Sequence, residues 1–473
     1  MRKHLLSFAI ISSMALSAQP QETKGYQLTF NIKGVDDTVA YLAYFYGKGQ
    51  FYRDTAEVAT NGDIVFVGKD TLQHGMYSLI ASNSKVFDFV VDRQVFSATS
   101  DQEDIVQHME FKNSPENKVF YAYLKFLNSR QQKAKEISQE IQTTQDPEKR
   151  ESLQNELSGL DEEVQSYLDK FHKENAGSLP SNFIKSLKYP EIPIQDANSE
   201  IPDSVYALYY FKNHFFDDFD FSDDRLVRTP SFHDKIDYYL DKLTYQQADS
   251  INNSLDVILG KSKESKELFK YALSYLTSKY ERSDKMGMDA VFVHLVQNYF
   301  AKGMANEWYK EKDLKKLVDK ANKLEPLLIG KKAPNLILKD TSQTKIIQLY
   351  DIDAKYTVVY IWSPTCGHCK TATPKLLEVY HKYKDQGVEV YAVNEKFENK
   401  EWLEFIREHQ LDFINVGDGG DFVSNFRELY DVFSTPETYL LDENKKILAK
   451  KMSVESLDEM LDFYINKKRN KKK

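Results

Sequence analysis

A short apolar run at residues 357–362 ends just before Cys366-Gly367-His368-Cys369, and a stretch with helical spacing follows at residues 370–383. An apolar run of that length, followed at once by helical periodicity, predicts a buried strand running into a helix with the cysteines at the junction. The chain has 2 cysteines in all, and this is the pair. Two cysteines placed at random on 473 residues would fall at this spacing on the order of once in a few hundred cases. A bridge between neighbours so close removes almost no loop entropy, so a purely structural disulfide is a poor explanation. At the start of a helix, Cys366 meets unpaired backbone N–H groups and the positive end of the helix dipole, which favour its thiolate. The thiol is therefore expected to titrate below the roughly 8.5 of free cysteine, with Cys369 one turn deeper and able to attack a mixed disulfide. Gly367 offers small bulk, so that a substrate can approach the sulfur closely. A protonated His368 would add positive charge and make the pair more oxidising.

The rest of the C-terminal third alternates strand and helix patterns: strands at 388–394, 439–442 and 446–450, helices at 401–409 and 422–430. That order is a β-α-β unit followed by an antiparallel pair, hence a mixed sheet covered by helices. The chain is too long for one hydrophobic core, and roughly three domains is the prior. Residues 26–100 alternate aromatic and β-branched residues with Gly, Asn and Asp, as in strands and turns. From 111 the composition turns to Lys, Glu, Gln and Leu, with one stripe through Phe120, Tyr123, Leu124 and Leu127 and another through Leu153, Leu157, Leu160, Val164 and Phe171. A helical hairpin is the simplest reading. Such stripes serve internal packing more often than a homodimer contact, and the oligomeric state is left open. Prolines 180, 190 and 193 suggest a linker at 179–193, and aromatic-rich helices follow to about 328, among them Tyr206, Tyr209, Tyr210, Phe211, Phe215 and Phe216. Aromatics in this number are expected to form the core of a helical domain, with His294 hydrogen-bonded on its face. The expected fold is thus multidomain α+β: an antiparallel β domain at 19–110, a helical hairpin or arm at 111–178, an aromatic-rich helical domain at 179–326 and an α/β domain at 327–473.

The first residues have the order of an export signal: basic Arg2, Lys3 and His4, an apolar run at 5–16, and Ala18 before polar Gln19. Residues 1–18 are expected to be removed, leaving a protein of the periplasm or cell envelope. No cysteine follows the apolar run to carry a lipid, and no later stretch approaches the roughly 20 apolar residues that span a bilayer. A net charge of −9 argues against nucleic acid as a partner.

The string Tyr360-Ile361-Trp362-Ser363-Pro364-Thr365-Cys366-Gly367-His368-Cys369-Lys370, with Pro374 after it, resembles the active-site strand and helix of the thioredoxin superfamily. The segment Ile329-Gly330-Lys331-Lys332-Ala333-Pro334-Asn335 resembles the opening of its TlpA/ResA branch of exported thiol-disulfide oxidoreductases. Phe433-Ser434-Thr435-Pro436-Glu437-Thr438 matches the superfamily's cis-proline loop. The resemblance implies that Pro436 packs beside the disulfide and that Thr435 offers backbone hydrogen bonds to an extended substrate. It makes Cys366 and Cys369 the catalytic pair, with Trp362 in the active-site strand. It also implies a first hairpin, disulfide-bearing envelope proteins as substrates, a membrane thiol electron donor, and no cofactor or metal. One departure is that Tyr360 stands where the superfamily often has a buried acid six residues before the first cysteine. Branch members use a Glu after the next strand, and Glu395 is the candidate here, with Glu398 close by. The upstream motifs Asp217-Asp218-Phe219-Asp220-Phe221 and Met286-Gly287-Met288-Asp289-Ala290 resemble uncharacterised exported domains that precede thioredoxin domains.

Three rivals stand beside this reading. Zinc would want about four ligands, and there is no second cysteine pair. A peroxidase would need the Pro and Thr that such enzymes carry before their cysteine. A binding protein with a redox-sensing dithiol fits the sequence too. Direction is open: the resemblance points to a reductase, the Gly-His spacer to an oxidase or isomerase.

Overall fold

The computed structural model describes residues 25–35, 37–81, 84–196, 200–396, 399–417 and 424–470. The expected export signal at 1–18 lies outside them. The chain divides into two units, residues 1–193 with 213–234, and 194–212 with 235–473.

In the first unit the strand patterning yields β1 (Tyr26–Lys33), β2 (Val39–Tyr46), β3 (Gly49–Glu57), β4 (Asp63–Gly68), β5 (Gly75–Ala81), β6 (Ser84–Val91), β7 (Val95–Asp101) and β8 (Glu110–Lys112). They form two four-stranded sheets, ordered β4-β1-β7-β8 and β3-β2-β5-β6. Alternation sends Leu28, Phe30 and Ile32 inward and leaves Gln27 exposed. Phe30 packs across to Phe89 of the other sheet, with centroids 5.0 Å apart, and along its own sheet to Phe96 at 6.1 Å. Pairing is antiparallel apart from β1 with β7, which run parallel. The chain visits the second sheet between them and re-enters the first in the original direction.

Helices α1 (Pro115–Thr143) and α2 (Pro147–Glu174) form the expected hairpin. The expected stripes meet at Tyr123 and Phe171, with centroids 5.7 Å apart, while residues outside the first stripe add to the contact: Ile137 clusters with Leu153 and Leu160, and Phe126 stacks on Tyr167 at 3.8 Å. The expected linker begins instead as a helix, α3 (Leu179–Ser186), with Leu179 and Ile184 buried. Pro180 sits in the first turn, where no intrahelical N–H bond is lost, and the Ser178 side chain caps Ser181 N. The aromatics of α4 (Asp203–His214) also depart from expectation, since no residue of this helix is buried and Tyr209 is 66% exposed. Tyr206, Leu208, Tyr209, Tyr210 and Phe211 point all round the helix, and one packed face cannot take them all. Burial falls instead on Phe215, Phe216, Phe219 and Phe221, with Phe219 5.3 Å from Phe232.

The helices α5 (Ser231–Asp241), α6 (Ala248–Ser262), α7 (Lys266–Glu281), α8 (Asp289–Leu295) and α9 (Glu311–Leu324) follow. Leu268, Ala272 and Leu276 of α7 are fully buried, and His294 Nε2 lies 2.9 Å from Asp256 Oδ1. The C-terminal sheet contains β9 (Ile337–Asp340), β10 (Ile346–Gln348), β11 (Tyr356–Trp362), β12 (Val388–Asn394), β13 (Ile414–Gly417), β14 (Glu437–Asp442) and β15 (Ile447–Lys450), in the order β10-β9-β13-β12-β11-β14-β15. Helices α10 (Gly367–Tyr383), α11 (Asn399–His409), α12 (Phe426–Leu429) and α13 (Val454–Asn470) complete it. Every residue of β11 is buried, between parallel β12 and antiparallel β14. Tyr360 and Trp362 face one core with Cys369 and Leu440, while Val359 and Ile361 face the other with Tyr391 and Tyr439.

Within this unit the Met286–Ala290 motif finds a packing role. Asp289 at the start of α8 pairs with Lys450 of β15, whose side chain is 3% exposed and also donates to Leu327 O at 2.6 Å. Burial pushes the Lys450 ammonium below its ordinary pKa, and the Asp289 carboxylate opposes that shift.

Candidate active site

Cys366 is the N-cap of α10, with extended backbone dihedrals (φ −75°, ψ 126°), so the free N–H groups of the first turn converge near its sulfur. The sulfur is partly exposed, while Cys369, one turn on, is 0% exposed, and both are free thiols. The Cys366 S–H donates to Thr435 O at 3.3 Å, a contact that suits the protonated thiol. Partial burial pushes the Cys366 thiol up, but the Cys369 backbone N–H, the Cys369 thiol and the His368 backbone N–H outweigh it, and the net shift is downward. His368 thus lowers the pKa through its main chain, with its imidazole exposed. For Cys369, burial dominates and pushes the thiol up to about 12, against the Ser363 N–H, 3.5 Å from the sulfur.

The loop after α12 closes the site from the other side. Thr435–Pro436 is a cis peptide, and antiparallel pairing of Ile361 with Glu437 brings it level with the end of β11. Thr435 Oγ1 donates to Glu395 Oε2 at 3.2 Å, and Arg427 donates to Glu395 Oε1 at 3.1 Å. Glu395, the candidate the resemblance gives, is therefore ion-paired with Arg427 and a direct partner of the loop that touches Cys366. Glu398 lies outside the described residues. Gly367 is exposed, and a Cβ there would meet nothing within 4 Å, so that side of Cys366 is open. Trp362 is buried against Phe405, with centroids 5.2 Å apart, and supports the strand from within.

Three residues were missed by sequence reasoning. Ser363 acts through its backbone, which leaves no trace in residue type. Thr373 accepts or donates a 3.1 Å bond with the buried Tyr360 hydroxyl, whose burial holds it protonated. Its spacing of four from Cys369 on one helix was the available signal. Arg427 falls within the helix expected at 422–430, of which Phe426–Leu429 is helical, but its reach to Glu395, 32 residues away, leaves no local signal. Tyr360, His368 and Pro436 line a cavity of about 520 Å³ beside the thiols.

Comparison with known proteins bears on this geometry. Residues 329–450 match the AhpC/TSA family, and residues 128–323 match a domain of unknown function, DUF5106. Thiol-disulfide oxidoreductase ResA of Bacillus thuringiensis subsp. konkukian is 30% identical over 146 residues, covering 31% of this chain and 81% of the relative. ResA of Bacillus subtilis is 30% identical over 142 residues, covering 30% and 76%. Among solved structures, a domain of possible thiol-disulfide isomerase from Cytophaga hutchinsonii is 44% identical, covering 31% of this chain and 99% of that one, with a TM-score of 0.29. With an extra DUF5106 domain upstream, the chain belongs through its C-terminal third to the AhpC/TSA thioredoxin-like family, in its ResA/TlpA-like branch, and is a thiol-disulfide oxidoreductase.

Proposed function

We propose that the protein is exported to the cell envelope and reduces disulfides of proteins there, with Cys366 as attacking thiolate and Cys369 as resolving thiol. The carrying observation is the contrast between the sulfurs: Cys366 is accessible with a lowered pKa, and Cys369 is buried with a pKa raised to about 12. The Cys366 thiolate attacks one sulfur of the substrate disulfide, forming a mixed disulfide and expelling a substrate thiolate that takes up a proton. Cys369 then loses its proton and attacks Cys366 Sγ. The second substrate thiol leaves and the Cys366–Cys369 disulfide closes. Two electrons have passed to substrate, and a membrane thiol donor returns them.

In this proposal Thr435 and Pro436 receive the substrate backbone, Glu395 positions Thr435, and Gly367, His368 and Trp362 tune or support the pair. The domain layout above belongs to it as well, and the start of the AhpC/TSA match at residue 329 supports its last boundary. Among the described residues no helix is long and apolar enough to cross a membrane, which fits release into the envelope after removal of 1–18.

Cys369→Ser should leave the attack intact and block resolution, so DTT-sensitive adducts with envelope proteins accumulate. Cys366→Ser should trap almost none, and equal trapping by both would overturn the assignment. The Gly-His spacer favours a second reading, an oxidase or isomerase. Equilibration with glutathione decides: a potential near thioredoxin's roughly −270 mV supports the reductase, and one near about −180 mV the alternative.

A further inference from the structure

The cavity beside the thiols continues along the loop that bears Pro436. A second cavity, of about 280 Å³, is lined by Met286, Gly287 and Asp289 on one side and by Lys450 on the other. Asp431, Phe433 and Lys451 line both. The shared wall is therefore the segment that leads into Thr435, whose carbonyl faces Cys366.

The far wall is held in place. Asp289 pairs with buried Lys450, and Gly287, at φ +83°, lies so close to Ile329 that an added Cβ would sit 3.2 Å from its side chain. The cations around the second cavity are largely engaged: Lys320 donates to Glu281 at 2.9 Å, and Lys451 lies 3.8 Å from Glu437. Asp284 and Lys285 are adjacent and opposite in sign. The linings are mixed, with charged Asp431 and Lys451 on the shared wall, and the exposed apolar side chains they offer a visitor are Phe433 and Met286. Phe433 is 87% exposed and Met286 41% exposed, and an exposed aromatic paired with a pliable thioether suits varied apolar side chains.

We propose that the two cavities form one track for the polypeptide carrying the substrate disulfide, in which Phe433 and Met286 grip an apolar side chain displaced to one side of the reacting cysteine. This rests on Cys366 as the attacking thiol, and adds that the segment around Met286, upstream of the redox part, helps to select the substrate. A small disulfide reaches only the first cavity.

The test uses the full chain and three probes: 5,5′-dithiobis(2-nitrobenzoate), mixed-disulfide peptides bearing a leucine on one or the other side of the cysteine, and the same peptides with glycine there. Phe433→Ser and Met286→Glu alter exposed side chains. Each should lower kcat/KM for one of the two leucine peptides by roughly fivefold, the effect of losing one interface anchor. Met286→Glu should leave rates with the small disulfide and the glycine peptides at the wild-type level, whereas Phe433→Ser, at a residue that lines both cavities, should show a larger loss on the leucine peptide than on the small disulfide. Unchanged rates with both leucine peptides, or an equal loss on the small disulfide, would overturn the track. Failure of the unaltered protein to reduce even the small disulfide would instead overturn the reading of Cys366 itself.

Discussion

Raising the pH from 7 to 9 should separate the two sulfurs kinetically. The Cys366 thiol titrates below its ordinary value, so the first step, attack on a disulfide, should level off within this range. Cys369 is different, because its thiol is pushed up to about 12, chiefly by burial. With a pKa of about 12, only about one Cys369 in 10⁵ is ionised at pH 7, and each pH unit raises that fraction about tenfold. In the mixed disulfide the nearby Cys366 thiolate is gone and its upward push on Cys369 ends, but burial, the larger cause, remains. Resolution should thus still climb across the range, by up to about a hundredfold over two units. The assay forms the mixed disulfide in acid with a chromogenic thiol, jumps the pH, and follows release of that thiol, with Cys369→Ser as the blank. A resolution rate that is flat between pH 7 and 9 would refute the argument that burial holds Cys369 protonated.

His368→Pro removes the backbone donor and should raise the Cys366 pKa and make the pair more reducing, whereas His368→Ala, which keeps the N–H, should shift iodoacetamide titration less. Glu395→Gln removes a negative charge from behind the Thr435 loop that touches Cys366, so the thiol pKa should fall further. Stability to urea should change by no more than about 1 kcal/mol, since the Glu395–Arg427 pair is partly exposed. Asp289→Asn strands a buried ammonium and should cost about 3–5 kcal/mol. Lys450→Met leaves a carboxylate that water can reach and should cost clearly less, and the reverse order in urea melts would contradict the pairing described.

The redox third was legible because its signals are local: the 357–362 run, the cysteine spacing and the Phe433–Thr438 loop each carry their meaning within a few residues. The short strands β9, β10 and β13 were not read from the sequence, since three or four residues show no period on their own and none adjoins a longer apolar run to pair with in sequence as β15 adjoins β14, and only family resemblance implied the first hairpin. Proline misled at 179–193, because a proline in the first turn of a helix looks the same in sequence as one in a linker. On α4 the aromatics were read as core, although a helix apolar all round its circumference cannot bury every face against one neighbour. Glu395 was found by position alone. Its bond to Thr435 depends on two loops 40 residues apart in sequence, and no local pattern reports such a meeting.

The antiparallel pairing of β11 with β14 has a consequence for how the protein is made. Cys366 and its partner Thr435 are separated by 69 residues, so during synthesis or threading across a membrane the thiols emerge well before the loop that will cover them. Until β14 arrives, β11 has one vacant edge, and the cysteines face their surroundings without that neighbour. Register then matters to chemistry as well as to packing. A slip of one residue would shift Thr435 by about 3.3 Å and turn the faces of β14 over, leaving a sheet that looks complete around a dithiol that has lost its contact. A pulse-labelled chain should therefore become thiol-reactive early and acquire its mature reactivity only after β14, which ends at Asp442, has left the channel.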